Sequence, residues 1–263
     1  VQALFTAREV TNTLPIQNAE ATQTIYDLIR DPENYNEHIQ RFTTAVILAR
    51  VFGQRGEQFK SPKVQALYDV QNRFTGILEP GAAPPVDALT FLKYWPERIA
   101  PWKKAAKEIR KDQRALYFQL LEETKERMRA GRGTGCFMES LIHNQEKSGL
   151  DDEHVAYIGG ILMEAGSDTT SSTLLSFILG ALQNPEAFKR AQSEVDQRCG
   201  NNRSPGPEDI ENLPYIEACM NEVCATGVNF LSPRLPNENV LDTPLAPSCS
   251  RRHPSHAHPN GHL

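Results

Sequence analysis

The sequence has no surplus of positive charge: 28 lysines and arginines face 33 aspartates and glutamates, a net charge of −5. That balance removes the electrostatic case for a nucleic-acid-binding protein, because neutralising phosphates needs a basic surface. The chain as a whole also lacks the basic excess that draws proteins to anionic lipid. Val1 to Glu20 shows no apolar core behind basic residues, so no signal peptide is legible there. Internal repeats are missing, and no strand-like alternation appears before the last 40 residues. Cysteine is sparse: the five, at 136, 199, 219, 224 and 249, are odd in number and scattered through a chain too long to need disulfide stapling. Reduced thiols follow from that usage. Hydrophobic residues make up 39% of the 263, low for a globular protein but above the disordered class, and the length suits one large domain or two small ones.

What is present is helical periodicity. Ala21, Ile25, Leu28 and Ile29 give a helix over Asn18 to Ile29 an apolar stripe. Asp31-Pro32 stops it and starts a second helix, with Asp31 as N-cap and Pro32 in the first turn. That helix runs to Phe52, and Gly53 ends it. Gly81 to Pro85 is a loop. A long charged helix spans Pro101 to Ala130, with Ile109, Leu116, Leu120 and Leu121 as its buried side and Glu123 and Arg127 spaced to pair across one turn. The glycines of Gly131 to Gly135 invite a phosphate-loop reading. No strand precedes them and no Gly-Lys-Ser/Thr closes them, so the segment reads as a linker.

The longest element starts at Asp151, a plausible N-cap, and runs to about Gln183. It is apolar on both sides of a polar insert, which predicts burial on most faces. The insert also halves the apolar run, which excludes a membrane span. Asn184-Pro185 begins a further helix through Gln197, and another is signalled from Pro214 to Val223. The insert, Glu164-Ala165-Gly166-Ser167-Asp168-Thr169-Thr170-Ser171-Ser172, is expensive for an interior helix. Gly166 costs about 1 kcal/mol relative to Ala. Thr169 and Thr170 are β-branched and bond back to carbonyls, and an unpaired buried Asp168 carboxylate is costly. Several unfavourable choices together mark a site. Ala165 and Thr169 share a face, leaving room for a flat cofactor or a diatomic ligand, and an acid beside an alcohol can relay protons through a loosened turn. A serine/threonine packing face or a simple kink is the other reading of the same residues.

Ala165-Gly166-Ser167-Asp168-Thr169-Thr170 resembles the oxygen-binding helix motif of the cytochrome P450 family, Ala/Gly-Gly-x-Asp/Glu-Thr-Thr/Ser. Asn184-Pro185-Glu186, Pro207-Glu208-Asp209 with Leu213-Pro214-Tyr215-Ile216-Glu217-Ala218, and Asp31-Pro32-Glu33 through Gly53 are similar to other stretches of that family, in order, with the flavour of its fungal members. The resemblance implies a mainly α chain: the helical part of the cytochrome P450 fold, with one long central helix, little or no sheet and an irregular C-terminal tail. It implies a haem-iron monooxygenase that puts one oxygen atom of O2 into a small hydrophobic substrate, with electrons from an NADPH-dependent reductase. Thr169 would steady bound oxygen and Asp168 would deliver protons. Ala165, Gly166 and Thr170 would line the cofactor side, and Glu222 would be the structural ion-pair acid of a Glu-x-x-Arg helix.

The pattern breaks after Val223. Ala225 stands where the family has Arg, leaving Glu222 without its expected partner, a cost if the site is buried. The Phe-x-x-Gly-x-x-x-Cys-x-Gly loop that carries the axial thiolate has no counterpart: Cys249 has no glycine or phenylalanine around it, and Cys224 is misplaced. The expectation is a partial domain over 1–223 and an unrelated tail over 224–263, produced by another reading frame or an unspliced intron, with no metal ligand, no stable haem and little activity in this chain. The tail holds six prolines and only five charged residues. Its His253, His256, His258 and His262 form a tract of the loose metal-binding kind, and a disordered tail is the expectation. The rivals are a non-catalytic helical module binding a hydrophobic ligand or a protein partner, and a non-functional fragment that does not fold. Localisation is not legible; family members are often anchored to the endoplasmic reticulum.

Overall fold

The computed structural model describes residues 7–56, 61–200 and 203–230. They form nine α-helices: α1 (Ala7–Arg30), α2 (Tyr35–Phe52), α3 (Pro62–Leu78), α4 (Pro101–Arg129), α5 (Phe137–His143), α6 (Gln145–Ser148), α7 (Asp152–Gln183), α8 (Pro185–Cys199) and α9 (Pro214–Phe230). No strand forms among the described residues; the one β contact is an isolated bridge between Pro80 and Ala83. The expected mainly α architecture with one long central helix is what the chain adopts.

α7 is the axis, packed against α2, α4, α5, α8 and α9. The core lies where α2, α3, α4, α5 and the first half of α7 converge, around Leu48, Phe52, Leu67, Tyr117, Leu120 and Met163. Paired glycines let the helices approach. A Cβ at Gly159 would lie 2.7 Å from the Met138 sulfur and 2.8 Å from Phe52, and one at Gly160 would run into the Tyr117 ring. Asp151 caps α7 as the sequence predicts, its Oδ1 accepting the His154 N–H at 2.8 Å. Gly53, at φ 65°, closes α2 through N–H bonds to its last carbonyls.

Several local expectations give way to tertiary partners. α1 begins at Ala7 and runs through Pro15, well upstream of Asn18. Its apolar stripe is not its buried side: Ile25 is 54% and Ile29 76% exposed, whereas Glu20 and Thr24 are buried. The reason is Arg41 of α2, itself 4% exposed, which holds Glu20 at 2.6 Å and the Thr24 hydroxyl at 2.9 Å. Arg55 adds a bond to Glu20 at 2.8 Å. Asp31 precedes a 3-10 turn, Pro32–Asn34, without a side-chain capping bond, and α2 starts only at Tyr35. Glu123 and Arg127 do not pair with each other. Lys63 takes Glu123 at 2.5 Å, and Arg127 donates to the Phe52 carbonyl at 2.6 Å and Glu139 at 3.1 Å. α3, for which the sequence analysis gives no expectation, carries Val64, Leu67, Tyr68, Phe74 and Ile77 at helical spacing. α9 continues past Val223 to Phe230.

The Gly131 to Gly135 segment does hold an anion, but the protein's own. The Glu139 carboxylate accepts the N–H groups of Thr134 (2.9 and 3.0 Å) and Gly135 (2.8 Å). Burial pushes its pKa up. Those two amides and Arg127 outweigh that and bring it down to about 2.

Candidate active site on the central helix

The polar insert lies in mid-α7, and α-helix runs through it without interruption. The loosened turn expected from the sequence is absent, because the hydroxyls bond to the helix's own carbonyls. Ser167 donates to Met163 at 2.9 Å, Thr169 to Ala165 at 2.7 Å, Ser171 to Asp168 at 2.9 Å and Thr173 to Thr169 at 2.9 Å.

Helical spacing sorts the insert into two sides. Val155, Ala156, Gly159, Gly160, Met163, Ser167 and Ser171 form the buried stripe. Ile161, Ala165 and Thr169, each four apart, form an exposed one, with Thr170 exposed beside it and Ile161 58% accessible. Burial on most faces, the sequence expectation, therefore fails for α7: among the described residues its partners cover one side. Gly166 lies roughly 100° round the helix from Ala165, against α2. A Cβ there would meet Ile47 at 2.7 Å, so its first task is helix–helix packing.

Asp168 sits between the two stripes, half-buried. Its carboxyl pKa is raised by burial, and it makes no hydrogen bond or ion pair among the described residues. Its charge is felt by the Tyr68 phenol of α3, whose pKa goes up mainly through burial. Behind Asp168 is a polar seam that the sequence reading missed. Tyr117 donates to Glu164 Oε1 at 2.5 Å and Gln113 Nε2 to the same atom at 3.3 Å. Gln71 Nε2 donates to the Glu164 carbonyl at 3.3 Å. Gln71 is 6% exposed, and its Oε1 has no partner among the described residues. The signal was there: Glu164 is a carboxylate directly following the apolar Ile161-Leu162-Met163. Ala165, Asp168 and Thr169 are thus brought together on or beside one open face.

Glu222 is not at that face's motif but on exposed α9, as is Ala225, so the cost foreseen for a buried unpaired acid does not arise. Cys136 is buried near Arg127, burial raising its pKa, and Cys199 is buried beside Asp209. Cys249 and the histidine tract lie outside the described residues. Among the described residues no group of three or more His, Cys, Asp or Glu is arranged to hold a metal ion. A cleft of about 440 Å³ opens between α3, α4 and the start of α7, lined by Phe74, Ile77, Ile109 and Tyr157. Tyr157 is roughly 18 Å along the helix from Thr169, so the cleft is separate from the motif.

The amino-acid sequence has known relatives. The family model for cytochrome P450 matches residues 5–224. A cytochrome P450 monooxygenase of Armillaria gallica is 36% identical over 223 residues, covering 85% of this chain and 42% of that protein. The cytochrome P450 monooxygenases atE of Aspergillus terreus (35%, 79% of this chain, 39% of the relative) and patH of Penicillium expansum (36%, 79% and 40%) are similar. The chain therefore belongs to the cytochrome P450 family, and it spans about two-fifths of the length of the curated relatives it matches.

Proposed function

We propose that these residues are the oxygen-side half of a haem monooxygenase site acting on a small hydrophobic substrate, with electrons from an NADPH-dependent reductase. The observation that carries the reading is the open stripe of α7, where Ala165 leaves space beneath the Thr169 hydroxyl while the partnerless Asp168 stands next in sequence. A flat cofactor fits that face: nothing among the described residues packs over Ala165, which presents only a methyl group. Bound there, haem supplies O2 activation when a cysteine thiolate donates electron density to the iron. Ala165 would flank the ring, with Thr170 at its edge, and Gly166 would contribute through the close α2 contact. Thr169 would turn its hydroxyl from the Ala165 carbonyl, at a cost of about 1 kcal/mol, to donate towards bound ligand. Asp168, whose raised pKa eases protonation, would then resupply the proton.

On the thiolate side the fit fails for this 263-residue chain taken by itself. No cysteine in it sits in a glycine-flanked loop of the required form, and we propose that it holds no stable haem-thiolate centre. Reduction under carbon monoxide tests this. The expected spectrum lacks the strongly red-shifted Soret band, and a chain that shows that band has its thiolate. We also propose a boundary near Val223, with residues 224–263 unrelated to the domain before them. A second reading, a helical module binding a hydrophobic ligand without redox chemistry, is favoured by the separate cleft at Tyr157. Thermal stabilisation by an apolar ligand in haem-free protein would support it.

A further inference from the structure

Two neighbouring polar groups in the interior each lack what the other can supply. One is Gln71 of α3, 6% exposed, whose Oε1 is buried and accepts no hydrogen bond among the described residues. The other is the half-buried Asp168 of α7, whose carboxyl has no hydrogen bond or ion pair among the described residues and whose pKa is raised by burial. Leaving a buried acceptor unmatched costs about 1–3 kcal/mol, and such groups are few in folded proteins. Two observations bring the pair together. Gln71 Nε2 donates to the Glu164 carbonyl at 3.3 Å. In an α-helix that carbonyl is the one that takes the Asp168 N–H, so the carboxamide lies over the turn that carries Asp168. Tyr68, one turn before Gln71 on the same buried face of α3, feels the charge of Asp168. The orientation of the amide is fixed by chemistry: reversed, its oxygen would face the Glu164 carbonyl, so the nitrogen belongs there and Oε1 is the end left over.

A carboxylate and an amide oxygen only repel each other. A carboxylic acid is a donor, and its O–H is what Oε1 lacks. We propose that Gln71 is the positioning residue for the proton of Asp168: whenever that carboxyl is neutral, Gln71 Oε1 accepts its O–H, directly or across one water. Gln71 keeps its own protons throughout; what changes is whether Asp168 carries one. Asp168 lies between the buried and the open stripes of α7, so rotation of its side chain carries the carboxyl from Gln71 to the open side, where Thr169 is next. Gln71 then sets where the proton waits, and the Asp168 rotamer sets where it is given. The other titratable groups of the seam are already committed. The Tyr68 hydroxyl donates to the Gln40 carbonyl at 3.0 Å and stands 2.8 Å from the Thr44 hydroxyl. Tyr117 and Glu164 hold each other at 2.5 Å. The use of the stored proton rests on the monooxygenase reading; the pairing itself does not.

The test is carbon NMR of the haem-free 263-residue chain, labelled at the glutamine Cδ and aspartate Cγ carbons and titrated with acid. The Gln71 Cδ signal should move along the same curve as the Asp168 Cγ signal, and Asp168→Asn should flatten it. Infrared spectra give a second readout. Gln71→Met should move the C=O stretch of the Asp168 acid to higher frequency, because an acid O–H without an acceptor leaves its carbonyl stiffer. Tyr68→Phe, which removes the nearest phenol, should leave both responses in place. The co-titration needs no substitution at Gln71, so it decides even where Gln71→Met does not fold. A raised Asp168 pKa with an unmoved Gln71 signal overturns the pairing and leaves Asp168 as proton donor. Loss of the Asp168 infrared response in Tyr68→Phe but not in Gln71→Met makes the phenol the partner and overturns the pairing too. An Asp168 that titrates in the ordinary aspartate range with Gln71 following it keeps the pairing and removes the donor reading.

Discussion

Asp168 illustrates how one side chain carries a measurable signature of its site. Burial raises its pKa, so the proton is held more tightly in the folded than in the unfolded chain. The folded state then loses stability as pH climbs past the unfolded carboxylate pKa, and nothing is lost below it. Asp168→Asn should therefore raise the melting temperature at pH 7 and leave it unchanged at strongly acidic pH, read from melts across a pH series. Glu139 has the opposite sign. Its pKa falls to about 2 in the folded chain, so its stabilisation is complete above the ordinary glutamate range and disappears as pH drops towards 2. With a side chain only 10% exposed, the shift corresponds to about 3 kcal/mol at neutral pH. Glu139→Gln should cost roughly that at pH 7 by urea unfolding, and much less at pH 2. The two variants together separate a functional strain from a structural clasp.

At the scale of elements, packing is decided by the side chains the helices cannot accommodate. Gly160 faces the Tyr117 ring so closely that even a methyl group must displace it. Gly160→Ala is expected to destabilise by about 1–3 kcal/mol, the usual cost of overpacking. Tyr117 also ties α4 to α7 through Glu164, so Tyr117→Phe keeps the ring and removes only the bond. Its cost should be smaller, about 1–2 kcal/mol for a hydrogen bond to an acid. Hydrogen exchange of amides 165–172 would show whether the polar insert loosens with it. The α1–α2 junction is held differently, by Arg41 against Glu20 and Asp27. Arg41→Met leaves the buried Glu20 with Arg55 as its remaining cation and takes the arginine from Asp27, and should cost about 3 kcal/mol, seen as a lower urea midpoint.

For the whole molecule, the chain is the helical part of a cytochrome P450, about two-fifths the length of its matched relatives. With the proposed boundary near Val223, a chain ending at Phe230 should melt within about 2 °C of the 263-residue chain, because the residues removed are ones the proposal makes unrelated to the domain. A drop of 10 °C or broad uncooperative melting of both would reject it. Sequencing the transcript across Glu222 to Ala225 addresses its origin: an unbroken frame with matched exons rejects the frame-change proposal.

Much of this was legible in the sequence. Periodicity and caps determined most of the helices, because local backbone preferences act within a few residues: Asp151 starts α7, Gly53 ends α2, and Ile109, Leu116, Leu120 and Leu121 are the buried side of α4. The motif determined where the candidate site lies. The tertiary structure alone decided which face of each helix is covered and which charges pair. Ile25 and Ile29 face water because Arg41 makes burying Glu20 the better exchange. Glu123 and Arg127 ignore each other because Lys63 and Glu139 arrive from other elements. The insert stays helical because its hydroxyls find carbonyls in the preceding turn, and its two faces differ because only one side of α7 has neighbours. Such choices depend on partners far away in sequence, where desolvation and pairing energies of several kcal/mol override local preferences of a few tenths.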